Sequence, residues 1–303
     1  MQAAPGNENG PEPSIEYVFD NRDAPAEKRY REPSALYDPQ TIRHIEQRGI
    51  EEGWSCLEVG GGGGSIASWL CSRVGPGGRV LATDLEPRFL EALTFSNLEV
   101  RRHDIRYEGL PEHEFDLAHA RLVLMHLPGR ELALQRMVTA LKPGGWIVVE
   151  EFDNLSVLPN ATANPGEEEL KVIRAGLRVL TARGVELRYG RRLPQQLLHL
   201  GLWNVGAEAS TSMWQGGSPG TRLYKLGFEE LADSILRSGL ISEGEFETDM
   251  RRLDELDYLM PSPMMWTAWG QVPEAVCGPS LESRAFEHRL PSGEWGPSGE
   301  WSR

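Results

Sequence analysis

Residues 57–67 read LEVGGGGGSIA, and this stretch decides how the chain folds. It completes the apolar segment 55–59, which predicts a short buried strand, and it leads into apolar residues at helical spacing. Glycine has no Cβ and adopts left-handed backbone angles, so five glycines at a strand-to-helix turn let the backbone approach a ligand closely. The stretch therefore predicts an α/β fold with a binding site at its first turn.

Predicted strands and helices alternate outward from this turn. Apolar runs predict further strands at 79–83, 98–101, 115–120 and 146–152, mostly with helical spacing between them. This order implies right-handed crossovers and a parallel sheet that is covered on both faces. The flanking predictions are a helix at 38–47 capped by Asp38, a helix across 170–180, a short helix at 193–201, a mainly helical stretch at 220–258, and strands at 203–212 and 264–269.

Composition restricts the class of protein. The chain has 303 residues, and the 40% that are hydrophobic are enough for a substantial core. Its formal net charge of −14 opposes binding to the phosphates of DNA or RNA. Its apolar runs are shorter than the roughly 20 residues that span a bilayer, and its N-terminus lacks the pattern of a signal peptide. Cys56, Cys71 and Cys277 show no metal-ligand spacing. We therefore expect a cytoplasmic protein with no metal site and no nucleic-acid or membrane partner.

Two cofactor templates fit the glycine run. The dinucleotide fingerprint G-x-G-x-x-G/A is met by Gly62, Gly64 and Ala67. The other template is an acidic residue followed by alternating glycines, and it is met by Glu58 with Gly60, Gly62 and Gly64. The run alone leaves both templates open.

Asp84 ends the second predicted strand, 20 residues after Gly64. At that position a carboxylate accepts hydrogen bonds from two ribose hydroxyls. Asp84 is also placed to cap a segment that starts at Glu86, and the two roles are compatible. The residue therefore supports a nucleotide cofactor without distinguishing the two templates.

Further motifs follow in order: ATDLE at 82–86, RHDI at 102–105, FDLAHARLVLMHL at 115–127 and LKPGGWIVVEE at 141–151. Together with LEVGGGGGS they resemble the class I S-adenosylmethionine-dependent methyltransferases over about residues 50–155. The string HARLVLMHLP resembles a group common in actinomycetes, many of whose members methylate small metabolites, natural products included. The resemblance implies an α/β, doubly wound, mainly parallel seven-stranded sheet with an antiparallel last strand and helical lid insertions.

The resemblance also implies S-adenosylmethionine as the cofactor and a role for each matching position. Glu58 would engage the ammonium group, Asp84 would hold the ribose hydroxyls, and Asp104 would accept from the adenine amino group. The other implied contacts are Gly60, Gly62 and Gly64 along the backbone, Leu85 and Ile105 against adenine, Ala120 and Arg121 near the methionine end, and Arg29 for the cofactor carboxylate. Asp104 as a turn residue and Arg121 as a structural ion-pair partner stay open as alternatives.

Candidate catalytic residues lie at the carboxyl ends of the fourth and fifth predicted strands. A hydroxyl, phenol, ammonium or acidic-carbon acceptor needs a base, and His126, His119 and Glu151 are the candidates, with Asp153 as a further one whose alternative role is to cap the loop. Glu150 and Glu151 alternate across a strand, so only one of them faces the cleft, and we choose Glu151. A structural imidazole is the alternative for each histidine.

Acceptor contacts are expected outside the shared motifs, from aromatic and Met-rich segments. The candidates are Tyr17, Phe19, Trp214, Met265 and Trp266, and the helices of 220–258 are expected to contribute as well, with plain core packing as the alternative. They favour a small, aromatic or polycyclic secondary metabolite as the methyl acceptor. The alternative functions are an NAD(P)-dependent oxidoreductase and a non-catalytic cofactor-binding regulatory protein.

The expected domain layout places one methyltransferase domain at 51–275, with a helical insertion at about 215–260. A helical lid at 15–50 precedes it, and the segments 1–14 and 276–303 are expected to be disordered. Whether two copies form a homodimer is left open.

Overall fold

The computed structural model describes residues 25–157 and 170–274, and for residues 25–31 it describes the backbone alone. Within these ranges the strands are β1 (Ser55–Val59), β2 (Arg79–Asp84), β3 (Leu98–Arg102), β4 (Phe115–Arg121), β5 (Leu141–Asp153), β6 (Trp203–Ser210), β7 (Met213–Gln215), β8 (Leu259–Pro261) and β9 (Met264–Gln271). The α-helices are α1 (Pro25–Glu46), α2 (Ser65–Val74), α3 (Arg88–Glu91), α4 (Arg130–Thr139), α5 (Lys171–Ala182), α6 (Tyr189–His199), α7 (Pro219–Glu230), α8 (Ala232–Arg237) and α9 (Glu243–Arg252). Short 3-10 helices, Leu124–His126 and Asn154–Val157, follow β4 and β5.

Seven of the strands form one sheet in the order β3-β2-β1-β4-β5-β9-β6. Strands β1 to β5 are parallel, and β9 runs antiparallel to its neighbours β5 and β6. The chain moves outward from β1 to β3 and then returns to add β4 on the other side, so the strand order reverses between β1 and β4. Ligands of open α/β sheets bind at the carboxyl ends of the strands beside such a reversal. The predicted doubly wound, mainly parallel seven-stranded sheet with an antiparallel last strand is confirmed.

Apolar residues on both faces of the central strands hold the helices against the sheet. On β5, Val148 packs with Leu70 of α2 on one face, whereas Ile147 and Val149 belong to the core on the other face. Each of these side chains is fully buried, and removing one from water contributes about 1.5–3 kcal/mol. The continuous apolar centre of β5 is thus explained by a strand that is covered on both sides.

Helix α1 begins at Pro25, well before the predicted cap at Asp38. Pro33 and Pro39 both lie inside this helix, and the Asp38 carboxylate forms an ion pair with Arg121 at 2.7 Å. The predicted helix start was therefore wrong. An Asp-Pro pair favours a helix start when only local sequence is considered, but here a partner distant in sequence uses the carboxylate.

The chain after β5 differs from the sequence-based prediction in detail. Helix α6 begins at Tyr189, before the predicted 193, and β7 pairs with β8 in a ribbon that was not predicted. The stretch 220–258 is mainly helical, as expected, and contains most of α7 with α8 and α9. The segments 1–14 and 276–303 lie outside the described residues. No helix in the described ranges is long and apolar enough to cross a membrane.

Candidate active site

A cavity of about 260 Å³ lies where the carboxyl ends of the parallel strands meet. The turns that follow β1 to β5 form its wall, and helices α1, α5 and α7 contribute further side chains. The predicted site residues found in this wall are Glu58, Gly60, Gly62, Asp84, Leu85, Asp104, Ile105, Arg121, His126 and Trp214. The reversal of strand order thus brings together residues that are far apart in sequence.

Alternate glycines of the turn after β1 adopt left-handed angles, with φ of +68° at Gly60, +50° at Gly62 and +80° at Gly64. A Cβ built on Gly60 would lie 2.3 Å from Cγ2 of Val123, so the turns after β1 and β4 touch. Gly60 and Gly62 line the cavity, whereas Gly64 is the N-cap of α2 and is not among the lining residues. The turn needs glycine both for its angles and for the close approach of two chain segments.

Asp84, the last residue of β2, connects the second strand to the glycine turn. Its Oδ2 accepts a hydrogen bond from the N–H of Gly62 at 2.9 Å, and its Oδ1 accepts from the N–H of Glu86 at 2.9 Å. Burial raises the pKa of this carboxyl, although both N–H donors act in the opposite direction. Each carboxylate oxygen accepts more than one hydrogen bond, so Asp84 caps the following segment and still presents acceptors to the cavity.

Asp104 and Ile105 form the part of the wall that follows β3. The Asp104 carboxylate holds the Arg106 guanidinium, with Nε 3.0 Å from Oδ1 and Nη2 2.7 Å from Oδ2. Burial acts to raise the pKa of Asp104, but the hydrogen bonds from Arg106 outweigh burial and lower it. An ionised carboxylate beside the apolar side chains of Ile105 and Leu85 suits a flat ring that carries an amino group.

Glu58 on β1 and His119 on β4 are partners in register and form a buried ion pair. Oε2 of Glu58 lies 2.6 Å from Nδ1 of His119, and Glu58 also lines the cavity. His119 is fully buried, does not line the cavity, and has Nε2 3.5 Å from Oε2 of Glu150. Burial alone would lower the pKa of His119, but the two carboxylates outweigh burial and raise it to about 9. The imidazole is therefore a cation at neutral pH.

Arg121 lines the cavity, yet its guanidinium is held by helix α1. Nη2 lies 2.7 Å from Oδ1 of Asp38, and Nη1 donates to Oγ1 of Thr41 at 2.8 Å. Thr41 in turn donates to the Glu150 carboxylate. The structural ion-pair alternative thus describes the contacts of Arg121, and its expected place near the methionine end stays a prediction.

The remaining wall of the cavity is apolar and aromatic. Besides Trp214, it contains four residues of the stretch 220–258, which was expected to contribute to the acceptor pocket: Leu223, Tyr224, Phe228 and Leu231. It also contains residues that the sequence did not single out: Met125, Leu127, Phe152 and Leu180. The rings of Tyr224 and Phe228 stack at 5.3 Å, and Trp214 meets Tyr224 edge-on at 5.6 Å. The Tyr224 hydroxyl donates to Oδ1 of Asn154 at 3.3 Å and places one polar pair in this wall. The expectation named the stretch 220–258 as a whole, because helical spacing does not tell which residues line a cavity and which pack in the core.

His126, at the end of the 3-10 helix after β4, is the catalytic candidate that lines the cavity. Burial lowers the pKa of its imidazole to about 4, and the charge of Arg130 acts in the same direction. His126 is therefore neutral at neutral pH, which is the form that accepts a proton.

Glu151 does not line the cavity, contrary to expectation. Its Oε1 accepts from the N–H of Leu124 at 2.6 Å and from the N–H of Val123 at 3.1 Å, so it holds the turn after β4. The side chain is fully buried, and burial raises its pKa to about 8. The alternation with Glu150 was predicted correctly, but Glu150 faces His119 and Thr41, so neither carboxylate faces the cavity.

Other predicted contacts lie elsewhere. Met265 and Ala120 are buried in the core, and Trp266 also lies outside the cavity wall, which corrects the expectation for all three. Met265 and Trp266 belong to β9, which lies beyond β5 and so is separated from the cavity by a strand. Tyr17, Phe19 and the side chain of Arg29 lie outside the described residues.

The polar part of the cavity fits S-adenosylmethionine. The carboxylates of Glu58, Asp84 and Asp104 lie at or just beyond the carboxyl ends of three adjacent strands, β1, β2 and β3. Their order is the one that an ammonium group, ribose hydroxyls and an adenine amino group require. Beside them, Gly60 and Gly62 line the cavity with backbone that carries no Cβ. The three carboxylate acceptors and the glycine turn therefore suit both ends of this cofactor.

Metal-ligating side chains are not grouped in the described part of the chain. No three His, Cys, Asp or Glu residues there are arranged to hold a metal ion. Cys56 and Cys71 are buried free thiols, and burial raises the pKa of Cys71 to about 11. Cys277 lies outside the described residues.

Similarity to known proteins concentrates on the same segment. A family described as a methyltransferase domain matches residues 57–149. Methyltransferase str3 of Strobilurus tenacellus is 32% identical over 111 residues, which cover 36% of this chain and 39% of that protein. The ubiquinone/menaquinone biosynthesis C-methyltransferase UbiE of Cellvibrio japonicus is 28% identical over 116 residues, covering 36% of this chain and 47% of that protein. The matched segment thus spans less than half the length of these curated relatives.

A solved structure extends the likeness of fold beyond that segment. A putative methyltransferase from Bacillus halodurans superposes with a TM-score of 0.52 at 12% identity, covering 77% of this chain and 98% of that one. The family match runs from β1 into β5 and contains Glu58, the glycine turn, Asp84 and Asp104. Residues 57–149 therefore match a methyltransferase domain, and the chain shares the fold of a putative methyltransferase beyond that segment.

Proposed function

We propose that the protein transfers the methyl group of S-adenosylmethionine to an oxygen, nitrogen or carbon atom of a small, apolar, aromatic or polycyclic secondary metabolite. The observation that carries this proposal is the division of one cavity into two parts. The polar part follows β1, β2 and β3 and contains Glu58, Asp84 and Asp104. The apolar part lies beside the ends of β4 and β5 and contains Trp214 and Phe228. The first part suits the cofactor and the second suits the acceptor.

Cofactor binding is assigned to side chains at three strand ends. Glu58 accepts from the ammonium group, Asp84 holds the ribose hydroxyls, and Asp104 accepts from the adenine amino group. Left-handed glycines at 60 and 62 allow the backbone to lie against the ligand. When bound, S-adenosylmethionine supplies an electrophilic methyl group on a positively charged sulfur.

The contribution of the chain to the reaction is mainly positional. Holding an acceptor atom in line with a methyl carbon removes about 7–11 kcal/mol from a barrier when the alignment is good. The aromatic wall around Trp214, Tyr224 and Phe228 keeps water away from both reactants. Because positive charge disappears during the displacement, the wall needs no counter-charge at that point.

His126 is proposed as the base for an acceptor that must lose a proton. It lines the cavity, and its lowered pKa keeps the imidazole neutral across the physiological range. A positioned base contributes about 10²–10⁴-fold when its pKa lies near the working pH, and the low pKa of His126 places its contribution at the lower end of that range. His119 and Glu151 are less suitable, since both are enclosed by other groups away from the cavity wall.

An uncharged acceptor is favoured by the charges around the apolar part. Among the described lining residues, the carboxylates belong to the polar part and Arg121 is paired with Asp38. A charged acceptor would lose its hydration there without gaining a partner. The C-methyltransferases of ubiquinone/menaquinone biosynthesis are among the similar proteins, which supports a small-molecule acceptor here.

A product assay tests the proposal. The protein is incubated with S-adenosylmethionine carrying a deuterated methyl group and with a panel of neutral phenols, hydroxyquinones and aromatic amines. We expect mass spectrometry to show at least one labelled product that Asp84→Ala forms far more slowly. If S-adenosylhomocysteine binds but a broad panel yields no labelled product, the non-catalytic alternative is supported and the proposal fails.

A further inference from the structure

We propose that His119 is a positioning residue that fixes the Glu58 carboxylate at the cavity wall and connects it, through Glu150, to helix α1. The inference rests on the proposed function, because it assigns Glu58 to the ammonium group of the cofactor. His119 itself is enclosed, so it acts through Glu58 and does not touch a ligand.

Strand register places the members of this network on one face of the sheet. Glu58 is paired with His119 across β1 and β4, and Arg121 is paired with Glu150 across β4 and β5. His119 and Arg121 are two residues apart on β4, so their side chains leave the same face. Thr267 on β9 is paired with Glu150 and completes the row. The polar row is therefore a product of the topology, not of local sequence.

The contacts run from the cavity wall to α1 through hydrogen bonds and, between His119 and Glu150, through an ion pair that is not a hydrogen bond. Nδ1 of His119 is 2.6 Å from Glu58, and its Nε2 is 3.5 Å from Glu150. Glu150 accepts from Thr267 at 2.6 Å and also from Thr41 of α1. Arg121 binds Thr41 as well, so helix α1 is attached to the same network.

The charges of the network are incomplete without a ligand. Three carboxylates, on Glu58, Glu150 and Asp38, face two cations, on His119 and Arg121. One negative charge is left over, and Glu58 is the carboxylate among them that is in direct contact with His119 and lines the cavity. An uncompensated buried charge is costly, so an ammonium group placed against Glu58 supplies the missing positive charge. If His119 were neutral, the network would carry an excess of two negative charges.

A merely structural histidine would behave differently from a positioning one. Loss of core packing would loosen the carboxyl ends of the central strands and weaken the binding of every ligand. Loss of the Glu58 position would weaken only ligands that carry the amino-acid half of the cofactor. S-adenosylhomocysteine has that half and 5′-methylthioadenosine lacks it, so the two ligands separate the explanations.

The experiment is calorimetric titration of His119→Leu and His119→Asn with both ligands. We expect His119→Leu to raise the dissociation constant of S-adenosylhomocysteine at least about tenfold and that of 5′-methylthioadenosine less than about twofold. Asn keeps an N–H donor towards Glu58, so His119→Asn should recover part of the affinity for S-adenosylhomocysteine. Equal losses for both ligands, or no loss for either, would overturn the inference. A wild-type protein that does not bind S-adenosylhomocysteine would instead overturn the proposed function.

A second variant keeps the test valid if His119→Leu does not fold. Glu150→Gln removes one of the two carboxylates that keep His119 protonated. The other groups around the Glu150 side chain are the Arg121 guanidinium and the hydroxyls of Thr41 and Thr267. We expect its affinity for S-adenosylhomocysteine to start falling at lower pH than in the wild type. The amine of the ligand titrates identically with both proteins, so the ratio of the wild-type and variant affinities at each pH reports only the titration of groups in the protein. A ratio that does not change with pH would contradict the inference.

Discussion

The Asp84 carboxylate accepts a hydrogen bond from the N–H of Gly62 at 2.9 Å, so the end of β2 is bound to the turn that follows β1. The N–H groups of Gly60 and Gly61 strengthen this connection by donating to the Thr83 carbonyl at 2.8 Å and 3.0 Å. A ligand that contacts Asp84 therefore also meets the glycine backbone. Substitutions in either element are expected to act on the same binding event.

Asp84→Ala removes the carboxylate assigned to the ribose hydroxyls and the acceptor for Gly62. We expect calorimetry to show that the dissociation constant of S-adenosylhomocysteine rises at least about tenfold, which corresponds to about 1.4 kcal/mol. Glu91→Ala, which removes an exposed carboxylate on α3, serves as the matched control and should bind normally. An unchanged dissociation constant in Asp84→Ala would refute the ribose assignment.

Gly60→Ala places a methyl group against Val123 and forces a left-handed angle on a residue with a Cβ. We expect cofactor affinity to fall at least about tenfold and the free energy of unfolding to fall by about 1–3 kcal/mol. Gly77→Ala is the control, since its added Cβ meets no atom within 4 Å. Val123→Ala combined with Gly60→Ala should restore part of both losses. If the double variant is no better than Gly60→Ala, the contact between the two turns is not the cause.

His126→Gln tests the proposed base. Turnover with a hydroxyl acceptor should fall by about 10²-fold, the lower end of the range for a positioned base, while the affinity for S-adenosylhomocysteine stays the same. The pKa of His126 is lowered to about 4, so the wild-type imidazole is neutral above that value and the rate is lost only as the pH falls through it. Single-turnover rates from pH 5 upward should therefore show no acid limb near the ordinary histidine pKa. Normal turnover in His126→Gln would remove this residue from the mechanism.

Gly176→Ala tests the apolar part of the cavity from a distance. A Cβ on Gly176 of α5 would lie 2.5 Å from Cε1 of Phe228, so the ring must move relative to the cavity that it lines. We expect the KM for the acceptor to change severalfold and the affinity for S-adenosylhomocysteine to stay constant. Gly244→Ala on α9, where nothing lies within 4 Å, is the matched helical control. A change in cofactor affinity with no change in acceptor KM would contradict the assignment of the two parts.

Glu151→Gln tests the buried carboxyl that holds the turn after β4. Burial raises its pKa to about 8 in the folded protein, so the native state keeps a proton that the unfolded chain releases near pH 4.5. The carboxyl therefore lowers stability progressively as the pH rises from about 4.5 to about 8. Urea unfolding should show that Glu151→Gln gains at least about 1 kcal/mol relative to the wild type between pH 5 and pH 8. Parallel pH dependences for the two proteins would show that Glu151 does not titrate in this way.

Most of the sheet could be predicted because its signals are local. The apolar run 55–59 and the glycines after it matched β1 and its turn, and the other parallel strands followed from similar runs. The carboxylates Glu58, Asp84 and Asp104 could also be placed, because the ends of parallel strands meet at one edge. The start of α1 could not be predicted, because the Asp38 carboxylate forms an ion pair with Arg121, which is far away in sequence, and does not cap a helix.

The acceptor part was harder to predict for a physical reason. Helical spacing on α7 shows that one face is buried, but it does not show whether that face meets core or cavity. Met265 and Trp266 were chosen for their chemistry, and the position of β9 beyond β5 removes them from the site. The contact between His119 and Glu58 depends on the register of two strands, which sequence spacing does not contain.

Calorimetric titration of the wild-type protein tests directly whether the glycine turn, Glu58 and Asp84 bind S-adenosylmethionine. We expect S-adenosylhomocysteine to bind with a dissociation constant in the micromolar range, about −8 kcal/mol, and NADH to give no measurable heat under the same conditions. Tight binding of NADH together with no binding of S-adenosylhomocysteine would contradict this assignment.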